Sequence, residues 1–89
     1  MKCYVYSFYN KKVGAYERPI VNNYEQKDFA ELVRRDVLVS DNAAKDHMKE
    51  CDLYYLGHFD DANGAFELEA KPEFLFSVGE LVVGKQGDD

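Results

Sequence analysis

The sequence predicts a small α+β domain: one antiparallel sheet of about four strands, in the order strand, strand, helix, strand, strand, with one main helix packed on one face. Three observations carry this. Strand-forming residues flank an Asn-Gly step between Cys51 and Glu69, residues 2–9 alternate with the period of an extended chain, and an apolar stripe of helical spacing lies between them.

The hairpin is the strongest signal. Asp52–Phe59 and Ala65–Glu69 read as paired strands around the turn Asp60, Asp61, Ala62, Asn63, Gly64. Asn63 and Gly64 both tolerate the positive φ that a tight hairpin asks for. Lys71-Pro72 is expected to end the fourth strand, because proline has no N–H for the ladder.

Residues 2–9, KCYVYSFY, set Cys3, Val5, Ser7 and Tyr9 against Tyr4, Tyr6 and Phe8. Neither set is plainly polar, which makes this strand central in the sheet or covered on both sides. Asn10-Lys11-Lys12 reads as a turn and Val13–Arg18 as a second strand that Pro19 confines to an edge or ends. Asn22 or Asn23 is the expected cap of a helix over Tyr24–Arg35, with Gln26 three residues after Asn23 approximating a capping box. Phe29, Leu32, Val33 and Val37 form its buried stripe, joined at the same spacing by Asp36. Val37-Leu38-Val39 fits either a short strand or the end of that helix. Ser40 or Asp41 then caps a second short helix over Asn42–Lys49, on a segment that is polar on most sides.

At 89 residues the chain is read as a single domain over residues 1–83 with a flexible tail over 84–89. Seven Tyr and six Phe supply the core, since each ring can bury about 150–250 Å². One helix covers only one face of a sheet. The surplus of apolar residues therefore predicts an uncovered patch on the other face, most simply closed by a symmetric homodimer. Two cysteines are too few for a disulfide scaffold, and no apolar run is long enough for a membrane span, so no membrane partner is expected.

Several kinds of chemistry are poorly matched. His47 and Cys51 stand four apart, but two ligands do not make a zinc site unless Cys3 and His58 converge with them, so no metal is expected. Asp60 and Asp61 lack the alternating ligands and distant Glu of a calcium loop, and neighbouring strand-end carboxylates point apart. They read as turn residues bonding their own backbone. No phosphate loop or nucleophile motif occurs, so neither an enzyme nor a cofactor is expected.

The net charge of −6 is unevenly spread: residues 1–35 carry seven Lys and Arg against four Asp and Glu, and residues 36–89 four against thirteen. Lys2, Lys11, Lys12, Arg18, Arg34 and Arg35 with Tyr4, Tyr6, Tyr9 and Tyr16 form the candidate nucleic-acid-binding set, because single strands are held by cations along phosphates and rings under bases. The competing reading makes the tyrosines core and cross-strand pairs and Lys11-Lys12 a solvated turn.

The run Asp52-Leu53-Tyr54-Tyr55-Leu56-Gly57, then Phe59-Asp60-Asp61, Gly64 and Pro72-Glu73-Phe74, resembles the small nonstructural protein of gokushoviruses, single-stranded DNA phages of the Microviridae, known as the open-reading-frame-five family. The likeness extends to Met1-Lys2 and to Asp28-Phe29-Ala30 in the helix. It implies an accessory role in single-stranded DNA synthesis or replication in the bacterial host cytoplasm, with single-stranded DNA as partner. The alternative is a nonenzymatic homodimeric adaptor acting on a phage or host replication protein.

Overall fold

The computed structural model describes residues 2–81; the tail expected over 84–89 lies outside them. The elements are β1 (Lys2–Asn10), β2 (Ala15–Tyr16), β3 (Ile20–Asn22), α1 (Gln26–Val39), α2 (Asn42–Met48), β4 (Cys51–Asp60) and β5 (Ala65–Ser77). Residues 78–81 are helical. The predicted α+β class with an antiparallel sheet and a main helix on one face is what the chain forms.

All pairings are antiparallel. Along one edge β1 pairs with β4 over its whole length, from Lys2 opposite Asp60 to Asn10 opposite Cys51. Its other edge is shared: β3 takes Tyr4–Tyr6 and β2 takes Tyr9 and Asn10. The single second strand expected over Val13–Arg18 is thus replaced by two short pieces. Residues 11–14 are spent on the turn, and Pro19, which cannot donate to a ladder, falls in the break between the pieces.

The sheet breaks register at two points. Leu75 is an extra residue in β5 between the Leu53–Phe76 and Tyr54–Phe74 pairs, which sets Phe74 and Phe76 on opposite faces, and a larger break lies further along β4. Leu56 is an extra residue in β4 relative to both neighbours: Tyr55 pairs with Tyr6 and Glu73, whereas Gly57 pairs with Val5 and Leu68. Gly57 has φ +148°, and a Cβ there would stand 2.3 Å from the Glu67 carbonyl oxygen, so no other residue fits without moving backbone. On β5, residues 69–72 oppose Leu56 alone. Pro72 lies in that excursion, where no ladder bond is asked of it. The strand therefore continues through proline to Ser77 instead of ending at Lys71-Pro72.

Both main turns use one device. Asn10 Oδ1 accepts from the Lys12 and Val13 amides and Asp60 Oδ1 from Ala62, while the Gly14 and Gly64 amides donate to the Asn10 and Asp60 carbonyls at 2.7 and 2.8 Å. Gly14 and Gly64 take φ of +78° and +75°, but Asn63 does not. Four-residue loops need only one left-handed residue, so the expectation of positive φ at Asn63 is corrected.

Helix α1 starts two residues later than expected and runs on to Val39, because Val37 is wanted in the core. Its N-cap is Glu25, without a side-chain cap bond; Asn22 Oδ1 instead accepts from the Tyr24 amide at 3.0 Å and turns the chain into the helix. Asp41 caps α2 by accepting from the Ala44 amide. The core lies between α1 and one sheet face: Tyr6, Leu53, Tyr55 and Phe76 from strands, Phe29, Val33 and Val37 from the helix, with Val78. Residues 65–74 are exposed throughout. This ribbon lengthens the molecule to 49 × 25 × 19 Å, with a radius of gyration of 14.0 Å against about 12 Å for a compact chain of this length.

Candidate nucleic-acid interface on the open sheet face

Strand parity sorts the aromatic residues. Residues opposite each other in a ladder point the same way, so Tyr6 and Tyr55, Phe8 and Leu53, and Leu53 and Phe76 share the helix-covered face. Tyr9 and Tyr16, Ser7 and Tyr54, and Tyr54 and Phe74 share the other. On this open face four strands each contribute one ring to a continuous row. Tyr16 lies 4.9 Å from Tyr9 and 5.6 Å from Tyr54, and Tyr54 lies 5.8 Å from Phe74, all edge-on. Tyr16 and Phe74 at its ends are 45% and 53% exposed. Further along the same face Phe59 and Phe66 pack at 4.6 Å, and Val21 and Leu68 are exposed beyond Val5.

The cations do not gather around one site. Lys11 stands in the turn beside the row, Lys12 in the same turn lines a cleft with Ala43, Asp46 and His47 of α2 on the helix side, and Arg18 lies in the segment between β2 and β3. Lys2 sits at the opposite end of the sheet, opposite Asp60. Arg34 lies on α1 with its guanidinium 4.9 Å from the centre of the Phe76 ring, a cation–π contact on the covered side. Arg35 lines a cleft beside α1. Of the ten residues singled out from the sequence, Tyr9, Tyr16 and Lys11 are brought together, with Arg18 two residues beyond Tyr16 and Lys12 turned toward α2. Tyr6 is fully buried, its ring stacked 4.3 Å from Phe29 and its hydroxyl donating to the Tyr24 carbonyl at 2.6 Å; it cannot meet a base. Tyr4 packs half-buried against the core from the helix side.

Tyr54 and Phe74 join the row although neither belongs to the candidate binding set drawn from the sequence. The signal was the period-2 alternation of β4, readable only once its pairing with β1 is known.

The electrostatics of the row are mixed. Lys11 Nζ is 3.4 Å from the Asp52 carboxylate, which stands on the same face. Glu17 accepts from the Asn10 side chain at 3.4 Å and meets His47 Nε2 at 3.2 Å, tying the exit of β2 to α2. The Tyr16 hydroxyl is held above its usual range by desolvation and by the neighbouring Tyr54 and Tyr9 phenols. His47 lies in α2 and Cys51 in β4, so no helix face unites them, and among the described residues no three His, Cys, Asp or Glu side chains gather as a metal group. No helix among them is long and apolar enough to cross a membrane.

Fold and face define a small α+β protein whose helices cover one side of a curled sheet and leave a row of rings on the other. The chain belongs to the Phage ORF5 protein family, whose model matches residues 3–81, in agreement with the resemblance to the gokushovirus protein. It is a bacteriophage accessory protein. No curated protein and no solved structure shows significant similarity to it.

Proposed function

We propose that this protein contacts single-stranded DNA during phage DNA synthesis in the host cytoplasm, as a nonenzymatic factor, through the open sheet face. The observation that carries the reading is the row Tyr16, Tyr9, Tyr54 and Phe74, four rings from four neighbouring strands on the face the helices leave uncovered. Every base has a π-face, so such a row accepts a strand without reading its sequence, at about 1–3 kcal/mol per stacked base. Lys11 and Arg18 supply the phosphate contacts at one end, with Lys11 exchanging Asp52 for phosphate. The contact surface is narrower than the ten residues of the sequence reading. Tyr4, Tyr6, Lys2, Lys12, Arg34 and Arg35 fall away from it, and Tyr54 and Phe74 enter.

Fluorescence anisotropy of a labelled oligonucleotide tests this. Binding is expected at low salt and weakens with added salt at a slope of about two to three counterions, from the few cations available. Changing Lys11 and Lys12 together to Glu lowers affinity and flattens that slope. No binding at low salt eliminates the reading.

A second reading has its own observation. Phe66 and Leu68 are 57% and 64% exposed on the far ribbon, an apolar patch that suits an apolar site on a replication protein. It predicts capture that is abolished by Phe66→Ser with Leu68→Ser and is indifferent to Tyr54.

A further inference from the structure

The layer opposite the aromatic row carries a second unpartnered surface. A cleft of about 550 Å³ opens beside α1, floored by Phe8, Ile20, Phe29 and Met48. Its rim is one stripe of the helix: Leu32, then Arg35 and Asp36, then Val39. Leu32 is 42% and Val39 82% exposed, although both stand on the wall of an apolar cleft. Their spacing of seven is that of a helix-packing seam, and no element among the described residues occupies it. Neither Arg35 nor Asp36 is ion-paired among the described residues.

The order of these four residues selects the occupant. Rotating α1 by a two-fold axis between positions 35 and 36 brings Leu32 onto Val39 of the other helix and Arg35 onto Asp36, each twice. A parallel arrangement would set Arg35 against Arg35. The stripe is therefore complementary to itself in the antiparallel sense, in charge at the centre and in apolar contact on both flanks, as an isologous interface requires. A helix of 14 residues is about 21 Å long, enough for both flanking pairs. A foreign helix has no reason to meet this order of charges.

We infer that two copies of this chain pair through antiparallel α1 helices, each helix lying along the other's cleft. The two open sheet faces then point away from each other and stay accessible. The pairing stands or falls independently of what the open face binds.

Light scattering on the size-fractionated full chain tests it, with circular dichroism confirming the fold of each variant. The wild type is expected at twice the monomer mass. Arg35→Glu and Asp36→Arg singly set like charges opposite each other twice and weaken association about tenfold or more, toward monomer. The two changes combined restore the dimer, which a mere folding defect would not do. Phe66→Ser with Leu68→Ser, on the other side of the molecule, leaves the mass unchanged. A wild type that is monomeric at all concentrations overturns the inference. So does a dimer that ignores both single reversals, or one lost with the Phe66 and Leu68 changes.

Discussion

The two faces of this sheet are built from the same residue type and do opposite things. On β1, Tyr6 and Tyr9 are three residues apart. Tyr6 turns inward, stacks on Phe29 and gives its hydroxyl to a backbone carbonyl, whereas Tyr9 turns outward into a row of rings whose ends are half exposed. Even the cysteines divide this way. Cys51 shares the helix side with Asn10 and is buried, while Cys3 stands with Phe59 on the open side. Parity in the strand, reset on β5 by the extra residue Leu75, decides whether an aromatic side chain supplies stability or a surface.

Substitution at Gly57 should have the largest effect on the sheet that carries both faces, because β4 and β5 approach each other there too closely for a side chain. Gly57→Ala forces a Cβ against the Glu67 carbonyl at positive φ, and strain plus overpacking should cost about 3–5 kcal/mol, read as a collapse of the urea midpoint. A near-normal midpoint would mean that the close approach is not required.

Tyr6→Phe should come next. It leaves the Tyr24 carbonyl without its donor and should cost about 1–3 kcal/mol, whereas Tyr54→Phe on the open face should stay within about 0.5 kcal/mol. Equal costs would erase the distinction between the faces.

Alkaline pH should act on the covered face. Burial pushes the Cys51 thiol from its ordinary value near 9 up to about 11, and burial likewise raises Tyr6. In each case the unfolded chain loses its proton first, so stability is intact below pH 9 and falls as pH rises from 9 toward 11. Thermal melts across that range should show the decline, and Cys51→Ala should make it shallower. A thiol reagent at neutral pH should label one cysteine of the folded chain, Cys3. Labelling of both would place Cys51 in reach of solvent.

Tyr16→Ala should also cost folding little, about 1 kcal/mol or less, because its ring is 45% exposed and its main contacts are edge-on with Tyr9 and Tyr54.

The fold was legible where local chemistry decides it. The Asp-rich turn closed by Gly64, the alternation of β1 and the stripe Phe29, Leu32, Val33, Val37 each point to one structure. It was not legible where pairing decides. Nothing local tells Pro72 that it lies in a four-residue excursion opposite Leu56, or splits the edge of β1 between β2 and β3 around Pro19. The site followed the same rule. Proximity in sequence put Tyr4, Tyr6 and Tyr9 together, and the strand separated them. Tyr54 and Phe74 lie 45 and 65 residues beyond Tyr9, and only the register between strands makes them its neighbours.

Anisotropy titration of the double variant Tyr16→Ala with Tyr54→Ala against the helix-side variant Arg34→Gln, using one labelled single-stranded oligonucleotide at low salt, tests the open-face assignment most directly. The first should lose about 2–6 kcal/mol of binding while keeping the wild-type circular dichroism spectrum, and the second should bind as the wild type does. Unchanged binding by the tyrosine variant, or a loss confined to Arg34→Gln, would contradict it.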